Sequence, residues 1–345
     1  MKAMILERVS TFEENPAPLV LADVPAPVPK SGEILIEISV CGVCHTELDE
    51  IEGRTPPSVF PMILGHQVVG RVAALGKNAG RFRIGERVGV GWIYSSCGTC
   101  DACQNGQENI CPQFRATGRD ANGGYTEFMT IPESFAHPIP EIFSDVDAAP
   151  LFCAGAIGYR SLRLTGLRNG KNLGLTGFGA SAHLVLQMTR YLLPNTKVFV
   201  FARNEKEQAF ARELGAVWAG DTDALPPEKM HAIIDTTPAW RPIVAALKNL
   251  VPGGRMVINA IRKEEKDKDE LLRIDYPSDL WLEKEIKSVA NVARQDIAEF
   301  LDIAARMGIR PETQEYRFED ANTALFELKQ GKIRGAKVLR IKNDH

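Results

Sequence analysis

The sequence lacks the features that would place it in a membrane or on nucleic acid. None of its 345 residues fall in an uninterrupted apolar run of about 18, so no membrane-spanning helix is predicted. The formal net charge is −3, which provides no basic excess for nucleic acid or for an anionic membrane. We therefore expect neither as a partner.

The N-terminus also lacks the apolar core of a secretory signal, because residues 1–9 read as a short strand. Without a secretory signal, disulfides are not the expected use of the seven cysteines. We interpret most of these cysteines as thiolate ligands of metal ions, in a protein that resides in a reducing compartment. We expect the protein to be cytoplasmic.

Four of the cysteines form one closely spaced group. They follow the pattern C-x2-C-x2-C-x7-C, at Cys97, Cys100, Cys103 and Cys111. Four thiolates on one loop can surround a zinc ion completely, which is typical of a structural zinc. A pair of disulfides and an iron–sulfur site are the alternatives. The last gap of seven residues argues against the second, where ferredoxin-type sites have about three.

A second metal set would need residues from distant parts of the chain. Catalytic zinc usually has three protein ligands and one open position. Cys44, His66 and Cys153 could supply such a set. Cys41 is interpreted as a buried structural residue, since a lone cysteine usually behaves as a small apolar side chain.

With these residues in order, the chain resembles the zinc-dependent alcohol dehydrogenases of the medium-chain dehydrogenase/reductase superfamily. The resemblance is closest to the yeast and bacterial tetrameric branch. It extends from Gly32 to Gly335, and it is carried by Cys44-His45-Thr46, Gly65-His66, the four-cysteine loop and Cys153. It implies two zinc ions per chain, one catalytic and one structural.

The pattern of strand-like and helix-like segments along the chain predicts an α/β protein of two domains. Short β-type runs separated by Gly and Pro dominate up to about Pro150 and favour a barrel or sandwich, which the resemblance identifies as GroES-like. Strands then alternate with helices, which predicts a Rossmann-type doubly wound parallel sheet. We place the catalytic domain at 1–152, completed by 292–345, and the dinucleotide-binding domain at 153–291. The charged run 262–270, RKEEKDKDE, is interpreted as solvated surface.

A glycine-containing turn between a predicted strand and helix marks the cofactor site. It needs glycine where the turn is tight and where the backbone approaches the pyrophosphate. The predicted dinucleotide contacts are Gly177, Gly179, Ala180, Ser181 and Ala182. The helix N-terminus should face the phosphates.

The end of the second predicted strand indicates which nicotinamide cofactor is preferred. An acidic residue there would bind the ribose 2′-hydroxyl of NAD(H). This chain has Ala202 followed by Arg203, a pair that suits the 2′-phosphate of NADP(H). We expect NADP(H) to be preferred, with NAD(H) possible. The alternative is that Arg203 stacks on adenine or lies in solvent.

The resemblance assigns roles to the residues after Cys44. His45 contacts the pyrophosphate, and the Thr46 hydroxyl binds the substrate oxygen and begins a proton relay. Asp49 replaces the histidine that ends the relay, and a carboxylate is the weaker base near neutrality. Glu47 replaces the aspartate that orients the zinc-bound histidine.

Three further positions are assigned by resemblance. Gln67 replaces a glutamate that often follows the zinc histidine, which removes a negative charge beside the metal. Trp92 and Ile93 wall the substrate pocket, unless they only pack in the core. A pyrophosphate-binding arginine near the C-terminus falls at Ala336, where Arg334 or Lys337 could take its place.

The sequence thus predicts an oxidoreductase that transfers a hydride between NAD(P) and a small alcohol, aldehyde or ketone. A polyol or amino-alcohol dehydrogenase of the same superfamily is one alternative. A zinc-stabilised binding protein with a degenerate active site is another. We also expect a homo-oligomer, either a tetramer or a dimer.

Overall fold

The computed structural model describes residues 1–331 and 335–342, apart from the side chain of residue 180. Contacts divide the chain into two compact units. The first contains Met1–Cys153 and the segment from Ala293 onward, and the second is Ala154–Val292. Cys153 thus lies in the first unit and Val292 in the second, one residue from the sequence-based limits.

The first stretch of the first unit is mainly β-structure. Its strands are β1 (Lys2–Leu6), β2 (Leu19–Asp23), β3 (Glu33–Val43), β4 (Met62–Ile63), β5 (Val68–Leu75), β6 (Arg87–Val90), β7 (Ile93–Ser95), β8 (Arg115–Ala116), β9 (Phe128–Pro132) and β10 (Ala136–Pro138). Its helices are α1 (His45–Ile51), α2 (Asp101–Gln104) and α3 (Asp145–Ala148).

The second unit alternates helices and strands. The helices are α4 (Ala154–Thr165), α5 (Ala180–Leu192), α6 (Glu205–Glu213) and α7 (Arg241–Leu247). The strands are β11 (Leu173–Thr176), β12 (Val198–Phe201), β13 (Trp218–Gly220), β14 (Met230–Asp235), β15 (Leu250–Ile258) and β16 (Glu285–Ser288). The chain then returns to the first unit with α8 (Arg294–Met307), β17 (Thr313–Arg317), α9 (Ala321–Lys329) and β18 (Ala336–Arg340).

The long strand β3 is at the centre of the first unit. Ile34, Ile36, Ile38 and Val40 are buried at alternate positions, as expected of a strand with one face on a core. The main sheet has the order β10-β6-β5-β3-β18-β17, with β9 also on β3, and a smaller sheet has the order β2-β1-β4. The return segment therefore completes a sheet begun by the N-terminal half.

The second unit is a parallel sheet in the order β13-β12-β11-β14-β15-β16. Every residue of β11 and β12 is buried, as in strands covered on both faces by helices. This is the Rossmann strand order, with the first strand at the centre. The predicted fold class is confirmed. Within the described residues, no helix has the length and apolarity needed to cross a bilayer.

Candidate functional site

The three proposed catalytic ligands converge in the first unit. The ligand atoms of Cys44, His66 and Cys153 all lie within 4.8 Å of one another. Cys44 is the residue before α1, and His66 lies just before β5. Cys153 follows the short 3₁₀ turn Ala149–Phe152. Three residues that are far apart in sequence thus meet at one point. The pairing of β3 with β5 brings Cys44 and His66 together, and Cys153 is the last residue of the N-terminal segment of the first unit.

The geometry of this set suits zinc. A tetrahedral zinc with Zn–S bonds of about 2.3 Å separates two thiolates by about 3.8 Å. The Sγ atoms of Cys44 and Cys153 are 3.7 Å apart. Two thiolates and one imidazole supply three ligands, which leaves one position of the tetrahedron for water or substrate.

Glu47 orients the imidazole of His66. Its Oε1 lies 2.6 Å from His66 Nδ1, and its Oε2 accepts a hydrogen bond of 2.8 Å from the backbone amide of Cys44. Both side chains are fully buried. Since Nδ1 faces the carboxylate, Nε2 is the nitrogen available to a metal. The longer glutamate therefore makes the contact for which the family uses aspartate.

The protonation equilibria in this cluster are strongly displaced. The hydrogen bond from Cys153 lowers the pKa of the Cys44 thiol well below its ordinary value. Burial opposes a charged His66, but the Glu47 carboxylate and Cys44 outweigh it and raise its pKa well above the usual range. The lowered pKa of Cys44 favours negative charge on its sulfur, and a thiolate is the form that binds a metal cation.

The predicted relay residues Thr46 and Asp49 both lie on α1. Thr46 Oγ1 is 3.7 Å from Cys44 Sγ, so its hydroxyl is beside the metal set. Asp49 is buried, and its Oδ1 accepts a hydrogen bond of 2.5 Å from Arg54 Nε. His45 is exposed.

Gln67 is buried against the backbone of β3. A Cβ added at Gly42 would lie only 2.6 Å from Gln67 Oε1, so glycine is required for the amide to fit there. The residue following the zinc histidine therefore provides a neutral amide in this chain.

The four-cysteine loop forms a second metal set. Sγ–Sγ separations are 3.9 Å for Cys97–Cys103 and 3.5 Å for Cys97–Cys111, again near the tetrahedral value of about 3.8 Å. Backbone hydrogen bonds from Thr99 and Cys100 lower the pKa of Cys97 to about 6. All seven cysteines are free of disulfides.

The same loop is fastened to the start of α8. Glu108 Oε1 accepts hydrogen bonds from both the backbone amide and Nε of Arg294, at 2.9 and 2.7 Å. The Arg294 guanidinium also lies over the Phe135 ring, 4.8 Å from its centroid. The four-cysteine loop thus belongs to the packing of the first unit.

Trp92 and Ile93, which are predicted to line the substrate pocket, are both buried. The indole of Trp92 packs on Phe114, with ring centroids 5.2 Å apart. The Arg119 guanidinium lies over both rings, at 5.3 and 5.4 Å from their centroids. Arg119 is also paired with Asp120 at 2.7 Å. The aromatic side chains predicted to line the pocket are therefore covered on one face by the positively charged Arg119.

Glu50 is a buried acid that the sequence analysis missed. It lies one turn after Glu47 on α1, is 1% exposed, and neither carboxyl oxygen has a hydrogen-bond partner among the described residues. Burial raises the pKa of Glu50 well above its ordinary value, and the negative charge of Glu47 adds to the effect. In the sequence, Glu50 is one of several acids in a charged helix. Its spacing of three residues from Glu47 places both on the same helix face, and this was the signal that could have identified it.

The predicted nucleotide turn connects β11 to α5 in the second unit. Gly177 has φ of 76°, and a Cβ there would lie 2.9 Å from Thr237 Cγ2. A Cβ on Gly179 would meet nothing within 4 Å, so that side of the backbone is open to a ligand. Ser181 Oγ is bonded to the Ala154 carbonyl, at 3.2 Å, and Ala182 is buried. The backbone of this turn suits a pyrophosphate.

A buried ion pair between Lys263 and Asp235 lies at the ends of β11 and β14. It contradicts part of the interpretation of residues 262–270 as solvated surface. Lys263 donates to Asp235 and, at 2.6 Å, to the carbonyl oxygen of Thr237. Asp235 Oδ1 also accepts from the Thr176 hydroxyl at 2.5 Å. The Lys263 side chain is only 7% exposed. The prediction of a solvated surface is therefore wrong for Lys263, because β14 ends in an acid that needs a partner.

The end of β12 contains the predicted ribose-side residues. Ala202 is buried, and its amide donates to the Gly220 carbonyl at 2.9 Å. Arg203 is exposed. Burial raises the pKa of Glu207, and the charge of nearby Arg203 acts in the opposite direction.

Lys337 has an internal role. Its Nζ donates to Glu327 at 2.8 Å and to Gln314 at 3.2 Å, and the residue is 2% exposed. An amine held in this way is not free to bind a pyrophosphate. Arg334, the other position considered, lies outside the described residues.

Comparisons with known proteins agree with this geometry. Residues 30–141 match the model of the alcohol dehydrogenase GroES-like domain. The chain is 39% identical to the probable alcohol dehydrogenase AdhA of Mycobacterium tuberculosis, over 99% of this chain and 97% of that protein. It is 31% identical to an alcohol dehydrogenase of Geobacillus stearothermophilus, over 98% and 100% of the two chains.

Solved structures share the fold. An NAD-dependent alcohol dehydrogenase superposes with a TM-score of 0.87 at 21% identity, covering 99% of this chain and 100% of that one. The CAD protein of Helicobacter pylori, complexed with NADP(H), has a TM-score of 0.85 at 23% identity, covering 100% and 99%. At these identities the similarity shows the fold alone.

Proposed function

This chain belongs to the zinc-dependent alcohol dehydrogenases of the medium-chain dehydrogenase/reductase superfamily, a family of NAD(P)-dependent oxidoreductases, and we propose that it interconverts small primary or secondary alcohols with the matching aldehydes or ketones. The observation that carries the proposal is the open set formed by Cys44, His66 and Cys153, with the Thr46 hydroxyl 3.7 Å from Cys44 Sγ. A closed structural site would have no free position for a substrate oxygen.

When bound, zinc supplies a Lewis acid for the substrate oxygen, and the nicotinamide supplies or takes the hydride. The residues of this chain do the rest. Glu47 fixes His66 through Nδ1, and Thr46 receives a proton from the substrate hydroxyl or returns one to it. Asp49 lies beyond Thr46 on α1, and Arg54, which follows the helix, donates a hydrogen bond to its carboxylate. Water can replace an outer member of a relay, so we expect proton transfer to solvent to depend little on Asp49 itself.

Turnover with defined substrates tests the proposal. Ethanol, propanol and benzyl alcohol are each assayed with NAD and with NADP, and the matching aldehydes with the reduced cofactors. Measurable kcat/KM with any of these pairs, lost when zinc is removed and regained when it is restored, is the expected result. A protein with full zinc content and no turnover would fail the test.

We further propose that two zinc ions are bound per chain and that NADP(H) is preferred. The first rests on the two ligand sets and their tetrahedral spacings. The second rests on Ala202, which offers no carboxylate to a ribose 2′-hydroxyl, and on Arg203, which is exposed beside it. A guanidinium there can donate charge-assisted hydrogen bonds to a 2′-phosphate.

Arg203→Ala is expected to weaken NADP(H) binding roughly 10- to 100-fold and to leave NAD(H) binding nearly unchanged. Hydrogen bonds to charged groups are worth about 1.5–3 kcal/mol, and about 1.4 kcal/mol is tenfold in Kd. Titration of the reduced cofactors measures both values. Lys197→Ala, just before the other end of β12, is the control and should change neither. A tenfold NADH preference in the unmodified protein would contradict the assignment.

We propose that the protein is a homo-oligomer assembled through the β16 edge of the parallel sheet. Ile286 on that strand is 42% exposed, and the preceding segment exposes Trp281 at 55%, Tyr276 at 60% and Leu272 at 88%. An unpaired strand edge with exposed apolar side chains beside it is suited to pairing with a second copy. Sedimentation should show a dimer or tetramer, and Ile286→Lys should lower the mass; a monomeric unmodified protein would contradict this.

A further inference from the structure

A fully buried carboxylate lies where strands β11 and β14 end. Asp235 is 0% exposed and pairs in register with Thr176, the last residue of β11. Its Oδ1 accepts hydrogen bonds from the hydroxyls of Thr176, at 2.5 Å, and Thr237, at 2.8 Å. Its Oδ2 pairs with Lys263, whose side chain is only 7% exposed. A charge buried this deeply is costly unless it is paired and hydrogen-bonded, and Lys263 supplies the opposite charge.

The same ion pair holds the loop that follows β14. Lys263 Nζ donates to the carbonyl oxygens of Thr237, at 2.6 Å, and Ala239, at 3.2 Å. The backbone of Thr237 is therefore held by Lys263, and its hydroxyl is held by Asp235. Both the position of this residue and the direction of its side chain are fixed by buried polar contacts.

The nucleotide turn packs directly on this loop. Gly177 follows Thr176 at the start of the turn, and a Cβ on Gly177 would lie 2.9 Å from Thr237 Cγ2 and 3.0 Å from Thr236 Oγ1. The Thr236 hydroxyl also donates to the Thr176 carbonyl at 3.0 Å. The backbone of the turn is the part of a dinucleotide site that approaches the pyrophosphate, so displacement of Thr237 would disturb the pyrophosphate contacts.

We propose that the buried Asp235–Lys263 pair positions the turn that binds the cofactor pyrophosphate. It acts through Thr237, which it holds against Gly177, so both members of the pair are positioning residues. The pyrophosphate is common to NAD(H) and NADP(H), and the pair therefore supports the binding of both, in contrast to Arg203, which would act on the 2′-phosphate. This inference rests on the proposed dehydrogenase function and adds a determinant of its cofactor affinity.

Binding titrations with NADH and NADPH, without substrate, test the proposal. Lys263→Met keeps most of the side-chain length and removes the charge, so the unpaired Asp235 carboxylate must turn towards water and release Thr237. We expect Kd to rise about tenfold for both cofactors, within the range of coupling between residues that share contacts. In turnover assays the KM for the cofactor should rise, while kcat at saturating cofactor stays nearly unchanged, because the metal ligands belong to the first unit.

A double variant separates the unpaired charge from other effects of the substitution. Asp235→Asn combined with Lys263→Met removes both charges and keeps an acceptor oxygen at position 235 for the Thr237 hydroxyl. Replacing both members of a buried pair is far less harmful than removing one. The double variant should therefore recover much of the cofactor affinity that Lys263→Met loses.

Asn172→Ala is the matched control. Asn172 lies just before β11, and its side-chain amide donates to Glu228 Oε2 at 3.1 Å and to the Lys229 carbonyl at 3.0 Å, just before β14 begins. It thus joins the same two strands at their opposite ends. Its loss should lower the thermal unfolding midpoint and leave both Kd values unchanged.

A Lys263→Met variant that is less stable but binds both cofactors as tightly as the unmodified protein would overturn the proposal. Weaker binding of NADPH alone, or a double variant no tighter than Lys263→Met, would overturn it as well. If Lys263→Met does not fold, Thr237→Val decides, because it keeps the methyl group at Gly177 and loses the hydroxyl bonded to Asp235. It should raise both Kd values, and unchanged values would contradict the proposal. In all these cases turnover by the unmodified protein leaves the proposed function standing, whereas an unmodified protein that binds neither cofactor would contradict both.

Discussion

Cys153→Ala is expected to abolish turnover while the protein remains folded. The substitution reduces the open set to Cys44 and His66, which is too few to hold zinc in the usual three-ligand manner. Loss of the Lewis acid removes several kcal/mol of stabilisation, so kcat/KM should fall by more than about 10³-fold. Elemental analysis should show the zinc content falling from about two per chain to about one.

A different result is expected when a ligand of the four-cysteine set is removed. Cys103→Ala should damage folding, since binding of structural zinc contributes directly to fold stability. Cys41→Ala is the matched control: Cys41 is fully buried and belongs to neither set, so both zinc ions should remain. Only one zinc in carefully purified unmodified protein, or an active Cys153→Ala variant, would disprove the two-site reading.

Thr46→Val is expected to lower turnover by roughly 10²–10⁴-fold, the usual scale of positioned acid–base catalysis. Valine keeps the shape and removes the hydroxyl that lies 3.7 Å from Cys44 Sγ. Zinc content should be unchanged, because the three ligands are intact. Single-turnover measurements with the reduced and oxidised cofactors separate loss of the chemical step from loss of binding.

Asp49→Asn serves as the comparison and should cost much less, less than about tenfold. The Asp49 carboxylate is already paired with Arg54, and water can replace an outer member of a relay. If Thr46→Val retained full activity, the hydroxyl would have no place in the mechanism. If Asp49→Asn were as damaging as Thr46→Val, the carboxylate would be a proton acceptor despite its ion pair.

The metal ligands could be predicted from sequence because their chemistry is local and demanding. The spacing of Cys97 to Cys111 fits four thiolates on one loop, and few other uses of such a loop exist. The fold class was predictable for a similar reason, since unbroken apolar strands alternating with helices fit only a covered parallel sheet. The glycine turn at Gly177 took its meaning from that context.

Charged residues were harder to place, because burial of a charge depends on partners distant in sequence. Lys263 sits in a run of alternating charges, and only the position of Asp235 at the end of β14 explains its burial. Glu50 was overlooked for a different reason, since helix α1 contains several acids and an acid is normally expected on a solvated face. The contact between Glu47 and His66 depended on loop geometry that spacing does not determine.

The pairing of β18 with β3 has a consequence for how the protein is made on the ribosome. Arg340 pairs with Val40, so the main sheet of the first unit cannot be completed until nearly the whole chain has been synthesised. The second unit is continuous in sequence and can close as soon as Val292 has emerged. Usually the N-terminal domain folds first during synthesis. Strand β9 covers Glu33–Glu37 of β3, but Val40–Val43 must wait for β18 through most of translation, and a C-terminal truncation would leave that stretch of edge exposed to aggregation.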